Sequence, residues 1–197
     1  MGYAIGIDMG GTRVKAAAVS AEGEVLATAS GETGETAERC VAAVSRVKHE
    51  LEKQLGAPPE WIGLAAPGLA SADGRMVASL PHRLPGVEGL PWTEALGGPV
   101  PVVVLNDAHA ALLGEAWTGA AAGCRGVLLV TLGTGVGGAI LSEGRLLRGH
   151  IGRAGHVGHL CLDPDGPPTI AGMPGGLELA IGNCTIGGLV RGDDTGR

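Results

Sequence analysis

The opening "YAIGID" (residues 3–8) is apolar and ends in an acid, "MGGT" turns, "VKAAAVS" runs on to the turn "AEGE", and a third apolar stretch follows in "VLATAS". Apolar stretches separated by Gly-rich and acidic turns predict a three-stranded antiparallel meander. The pattern then changes. Residues 36–55 carry Val41, Val44, Val47, Leu51 and Leu55 three and four apart with Lys, Arg and Glu between them, which predicts an amphipathic helix. "WIGLAAPG" predicts a strand ending near Pro67. Residues 71–99 are rich in Gly and Pro and lack a period, so they read as an excursion or small subdomain over the sheet. A buried strand, "VPVVVL", then runs into Asn106 and Asp107, and "DAHAALLGEAW" has the pattern and residues of a helix. In "GVLLVTLGTGVGGAILSEGRLLRG" the order strand, glycine turn, strand, tight turn, strand returns. The repetition predicts an internal duplication of the opening meander.

Composition narrows the class. The 197 residues are 45% hydrophobic with a mean hydropathy of +0.26, which suits a globular chain with a sizeable core. With no Phe, three Trp, one Tyr and 37 Gly, that core must be built from Val, Leu, Ile and Ala around many tight turns. The net charge of -6 is spread without a basic run, which argues against a nucleic-acid partner. Nothing resembles a leader peptide or a long apolar span, so a cytoplasmic protein with no membrane association is expected. Cysteines at 40, 124, 161 and 184 are irregularly spaced and read as reduced thiols.

Candidate chemistry gathers at the strand ends. In "GIDMGGT", Asp8 ends an apolar strand beside Gly10 and Gly11, which let backbone N–H groups approach an anion, and Thr12 adds a hydroxyl. Such a loop can cradle phosphate while Asp8 orients hydrated Mg²⁺. "GTGVGG" (133–138) satisfies the spacing of a dinucleotide fingerprint, but it leads into a strand where that fingerprint opens a helix, so a second phosphate-holding hairpin fits better. Asp107 starts a helix, where either it or Asn106 could cap, and its carboxylate could also accept a proton from a substrate hydroxyl. Near the other end, His156, His159, Cys161 and Cys184 lack the paired spacing of a tetrahedral zinc site.

Taken in order, "DMGGT" with Lys15, "AAPG", "LPG" (84–86), "NDAHAA", "GTGVGGAI", "AGHVGH" followed by "DPDG", and "GGLE" resemble the ROK family (repressor, open reading frame, kinase) of sugar kinases and sugar-sensing repressors. The resemblance runs along almost the whole chain. It implies an α/β, actin-like ATPase (ribonuclease H-like) fold of two lobes, with 1–106 as the N-terminal lobe and 107–197 as the start of a second, incomplete lobe. Further chain that completes this lobe in family kinases is absent, so the sequence reads as a fragment or as a truncated protein. The implied activity is transfer of the γ-phosphoryl group of ATP to a sugar hydroxyl, with Asp107 as general base. ATP phosphates would be held by Asp8, Gly10, Gly11, Thr12 and Lys15 in one turn and Gly133, Thr134 and Gly135 in the other, with Mg²⁺ held through water on Asp8. Sugar contacts would come from Gly68, Arg83, Asn106, His156, His159 and Glu178. A homodimer fits the family, and a sugar-binding sensor without turnover is the alternative function. A repressor would carry a helix-turn-helix before the kinase-like part, whereas "IDMGGT" begins almost at once.

Departures from the family pattern bear on metal and substrate. Family members hold a structural zinc with the His of an E-x-G-H motif and three following cysteines. Those positions correspond here to His159 and to Thr169, Ala171 and Gly176, so no zinc is expected and Pro167, Pro168 and packing are expected to hold the loop. A site rebuilt from His156, His159, Cys161 and Cys184 is the alternative. His156 replaces a sugar-binding Glu, and Arg83 replaces an Asn before L-P-G. Both substitutions alter charge and hydrogen-bond polarity, which points to an anionic or differently hydroxylated sugar rather than glucose.

Overall fold

The computed structural model describes residues 2–80, 83–133, 135–169 and 171–182. Thr134 and Cys184, singled out above, lie outside this set, as do Met1, Pro81, His82, Ile170 and the rest of 183–197. The chain divides into two compact units, Met1–Ala110 and Ala111–Arg197.

The first unit is built on the predicted meander. Strands β1 (Ala4–Met9), β2 (Arg13–Val19) and β3 (Val25–Glu32) pair antiparallel in sequence order. β3 is two residues longer than the apolar pattern suggested, because Arg13 opposite Glu32 extends the ladder. Helix α1 (Ala37–Leu55) follows, capped by the Thr36 side chain, which accepts the Arg39 N–H, and closed by Gly56 in the left-handed region at φ 72°. Its buried stripe is Cys40, Ala43, Val44, Val47 and Leu51, with Val41 and Leu55 at the flanks. The stripe packs under the meander against Ile5, Ile7, Met9, Val14 and Ala16.

Strand β4 (Trp61–Ala66) joins β1 in parallel, and β7 (Val102–Asn106) joins β4 in parallel, which gives the order β3-β2-β1-β4-β7. Between them the excursion forms a short hairpin of β5 (Leu69–Ala70) and β6 (Val77–Ser79), then helix α2 (Trp92–Ala95). It is an extension of the same core, because Leu80, Leu84, Val87 and the fully buried Trp92 pack into the sheet's hydrophobic cluster. Helix α3 (Asp107–Trp117) starts directly from β7, and the chain passes into the second unit within it.

The second unit repeats the meander with β8 (Val127–Leu132), β9 (Val136–Ser142) and β10 (Arg145–Leu146), in the order β10-β9-β8. β10 is shorter than predicted; the chain leaves the ladder before Gly149, whose φ is 69°. A 3-10 turn (Val157–His159) and helix α4 (Leu177–Ile181) complete the described residues. Among them no helix is long and apolar enough to cross a membrane. Cys40, Cys124 and Cys161 are free thiols.

Candidate active site

In the first unit three neighbouring parallel strands end together. Asp8 stands opposite Lys15 in the β1–β2 ladder and opposite Ala65 in β4; Ala65 in turn faces Leu105, and Ala66 faces Asn106. At strand spacings near 4.8 Å, the ends of β1 and β7 are about 10 Å apart. Ligands in open α/β sheets bind at such carboxyl ends. The charge pattern is consistent with this. Desolvation raises the Asp8 carboxyl above its ordinary range, the negative charge of Asp107 raises it further, and Lys15 opposes both.

The junction of β7 and α3 settles which residue caps. Asn106 is buried; its Oδ1 accepts the N–H groups of Ala108 at 3.0 Å and His109 at 3.2 Å, and its Nδ2 donates to Gly68 O at 2.9 Å. The amide expected to meet a sugar is thus largely committed to the fold, with one N–H of Nδ2 remaining. Because Asn106 caps, Asp107 is the first helical residue and exposes its carboxylate, one oxygen of which takes the Ala108 N–H at 2.8 Å. Gly68, at φ 86°, has no room for a side chain: a Cβ there would lie 2.2 Å from Ser79 O.

The first glycine turn joins β1 to β2. Gly10 N–H donates to Arg13 O at 2.9 Å, Thr33 N–H donates to Thr12 O at 3.1 Å, and the Thr33 hydroxyl donates to Gly10 O at 2.7 Å. Thr33 is fully buried and fixes the turn from beneath. Gly11, Thr12 and Lys15 are exposed, and nothing lies within 4 Å of the position a Cβ at Gly11 would take. Sequence reasoning missed Thr33; its position between a strand and Gly34 is the only signal it carried.

In the second unit Gly133 N–H donates to Gly135 O at 3.0 Å, closing the turn between β8 and β9. The following segment lies directly on β9. A Cβ at Gly138 would meet Gly155 O at 2.5 Å, one at Gly155 would meet Ala139 Cα at 2.7 Å, and one at Gly158 would meet Val136 O at 2.0 Å. These close approaches bring the segment bearing His156 and His159 over the strand that follows the turn. His159 Nδ1 stands 3.4 Å from Glu178 Oε1, while Glu178 Oε2 lies 3.0 Å from where a Cβ at Gly135 would be. Gly133, Gly135, His159 and Glu178 are thereby gathered.

The loop between His159 and Glu178 is held by the backbone. Leu162 N–H donates to Gly175 O at 2.8 Å, Gly175 N–H to Pro167 O at 2.8 Å, Thr169 N–H to Met173 O at 2.7 Å and Leu177 N–H to Leu160 O at 2.9 Å. Thr169, expected above to stand where the family pattern has a cysteine, is buried, and its hydroxyl accepts the Met173 N–H at 3.2 Å. Among the described residues no group of three or more His, Cys, Asp or Glu side chains is placed to hold a metal ion. Arg83 is exposed in the turn before Leu84, its N–H 3.5 Å from Leu80 O, and among the described residues no hydrogen bond or ion pair joins its side chain to Asp8, Asn106 or Asp107.

A family model described as "ROK family" matches residues 4–193. The N-acetylmannosamine kinase of Escherichia fergusonii is 32% identical over 98% of this chain and 65% of its own length. The glucokinase of Streptomyces coelicolor is 37% identical over 84% of this chain and 52% of its own. A crystal structure of a ROK family glucokinase from Streptomyces griseus, in complex with glucose and AMPPNP, superposes with a TM-score of 0.82 at 34% identity, covering 94% of this chain and 59% of that one. The chain thus spans between about half and two thirds of the length of these relatives.

Proposed function

The chain belongs to the ROK family, and from that premise we propose that it carries the phosphoryl-transfer site of an ATP-dependent sugar kinase in a two-lobed actin-like architecture. The observation that carries the reading is the β7–α3 junction. Asn106 satisfies the helix end and leaves Asp107 exposed, two strands from Asp8 at the carboxyl edge of the sheet. Asp107 accepts the proton of the sugar hydroxyl as its oxygen bonds to the γ-phosphorus and the bond to the bridging oxygen of ADP breaks. A positioned base of this kind contributes about 10²- to 10⁴-fold.

The anionic character of the site fits a dication. Burial, and to a lesser degree the negative charge of Asp107, raise the Asp8 carboxyl, and positive charge near it opposes both, as Lys15 already does. Asp8 would hold Mg²⁺ through water, and when bound the ion would neutralise charge on the transferred phosphoryl group. The turns at Gly10–Thr12 and Gly133–Gly135 bind phosphate oxygens through backbone N–H groups, with Lys15 adding a cation. Gly68, Asn106, Arg83, His156, His159 and Glu178 form the sugar contacts of this reading. Relatives named for glucose and for N-acetylmannosamine support a hexose or hexosamine as the substrate class of this reading. His156 and Arg83 direct the choice away from glucose, because an imidazole and a cation replace an acceptor-only carboxylate and a neutral amide.

The test is ADP release from MgATP in the presence of glucose, N-acetylmannosamine, other hexosamines and sugar acids. Sugar-dependent release that disappears in Asp107→Asn, with MgADP binding retained, supports the assignment. Turnover surviving in Asp107→Asn removes the base, and sugar binding without turnover in the unaltered chain leaves the sensor reading.

A further inference from the structure

Thr33 holds the turn between β1 and β2 at two points. Its hydroxyl donates to Gly10 O at 2.7 Å and its N–H donates to Thr12 O at 3.1 Å, so the carbonyls on either side of Gly11 both end on this residue. Gly10 C=O and Gly11 N–H belong to one planar trans peptide and therefore point in opposite directions. With the carbonyl turned onto a fully buried residue, the Gly11 N–H is turned away from the core, at a residue that is itself exposed. Among the described residues neither the Gly11 N–H nor the Thr12 N–H donates a hydrogen bond. Thr33 has little freedom to shift. It follows directly on Glu32, the last residue of β3, which pairs with Arg13 across the ladder, and three residues later Thr36 caps α1, whose buried stripe lies in the core.

We propose that Thr33 is a positioning residue for the first phosphate turn: by fixing the peptide between Gly10 and Gly11 it presents the unbonded Gly11 N–H to a nucleotide phosphate. The inference rests on the kinase reading and deepens it, by giving a role to a residue that lies beneath the turn. A peptide between two glycines is the least restrained in a chain, because no Cβ on either side opposes its rotation. The rotated form would carry the carbonyl outward, where it repels phosphate, and the N–H inward. The Thr33 hydroxyl acts against that rotation, since the rotated form would leave it buried without its acceptor. The cost of ordering the turn is thus met on folding instead of on binding, which is preorganisation. The Thr12 N–H gains from the same restraint, because Thr12 O is tied to the Thr33 N–H at the far end of the turn.

Calorimetric titration of MgADP into the unaltered chain, Thr33→Val and Thr33→Ser, at a temperature where all three are folded, tests the role. Thr33→Val keeps the shape and removes the hydroxyl, and should weaken MgADP binding about threefold to tenfold, the scale of one hydrogen bond. Thr33→Ser restores the hydroxyl and should bring the affinity back to within about twofold of the unaltered chain. A residue that only holds the fold would lower the unfolding midpoint in Thr33→Val and leave the MgADP affinity of the folded protein unchanged, and that result overturns the proposal. A Thr33→Ser variant as weak as Thr33→Val overturns it too, because the hydroxyl is then not what acts. If the unaltered chain binds no MgADP, the kinase reading itself falls and the proposal with it. Should Thr33→Val fail to fold, amide exchange in the unaltered chain decides: MgADP must slow exchange at Gly11 and Thr12, and unchanged exchange there overturns the proposal.

Discussion

Gly10 and Gly133 each follow an apolar strand, and each donates its N–H across its own turn, to Arg13 O at 2.9 Å and to Gly135 O at 3.0 Å. Beneath the first turn lies a neutral group, the fully buried Thr33, supplied by the end of the same meander. Beside the second lies a charged group, Glu178, supplied by a short helix far along the chain. The strands differ in the same way. β1 is paired on both edges, by β2 and β4, whereas β8 is paired with β9 alone among the described residues and exposes Leu128, Val130 and Leu132. The lesson is that one local recipe can sit on quite different neighbours. A buried hydroxyl such as that of Thr33 has little alternative to its bond, whereas the group beside Gly135 is a carboxylate brought from a distant part of the chain.

The comparison breaks most severely at Gly158. Any side chain there meets the carbonyl of Val136, so Gly158→Ala should strain the second unit by about 1–3 kcal/mol or more. Thermal unfolding with a probe in each unit should show the loss in the second and little change in the first. Next in size is Thr33→Val, which leaves the partly buried Gly10 carbonyl without its hydroxyl partner and should cost about 1 kcal/mol in urea unfolding, with weaker MgADP binding.

Smaller still is Asp8→Asn, whose sign follows from linkage. A carboxyl raised on folding holds its proton more tightly in the folded state, so its contribution to stability falls as pH rises from the unfolded value, ~4, through the raised one. Removing the charge should therefore raise the unfolding midpoint at neutral pH, with the gain vanishing below the ordinary carboxylate range, while Mg²⁺-dependent nucleotide binding is lost. Asp107→Asn should remove part of the same gain by relieving the repulsion.

The smallest effect on stability is expected at Gly11. Its Cβ position is empty and its φ is not in the left-handed region, so Gly11→Ala should change stability by no more than about 0.5 kcal/mol. A sizeable loss of MgADP affinity in so stable a variant would show that the open space is where phosphate sits. Unchanged affinity would leave the turn a plain hairpin.

Much of this was readable in order along the chain. Apolar stretches broken by turns predicted β1, β2 and β3, the spacing of Val44, Val47 and Leu51 predicted α1, and the repeated hairpin predicted β8 and β9. Each of these rests on contacts between residues close in sequence, or on the requirement that one face be apolar. Asp8 and Asp107 were legible as acids at strand ends for the same reason. That Asn106 rather than Asp107 caps α3 was not legible, since both residue types cap well and only the reach to Gly68 O decides between them. Nor could spacing show that Thr33 lies under Gly10, or that Glu178 stands against Gly135.

The sequence by itself determined where strands, helices and glycine turns form, because alternation, helical spacing and the absence of a Cβ act over a few residues. Only the tertiary structure decided which strand ends lie side by side and which distant group lies beside each turn. Those choices come from parallel pairing of β1, β4 and β7 and from the packing of residues 155–158 on β9, contacts between segments that no local pattern connects.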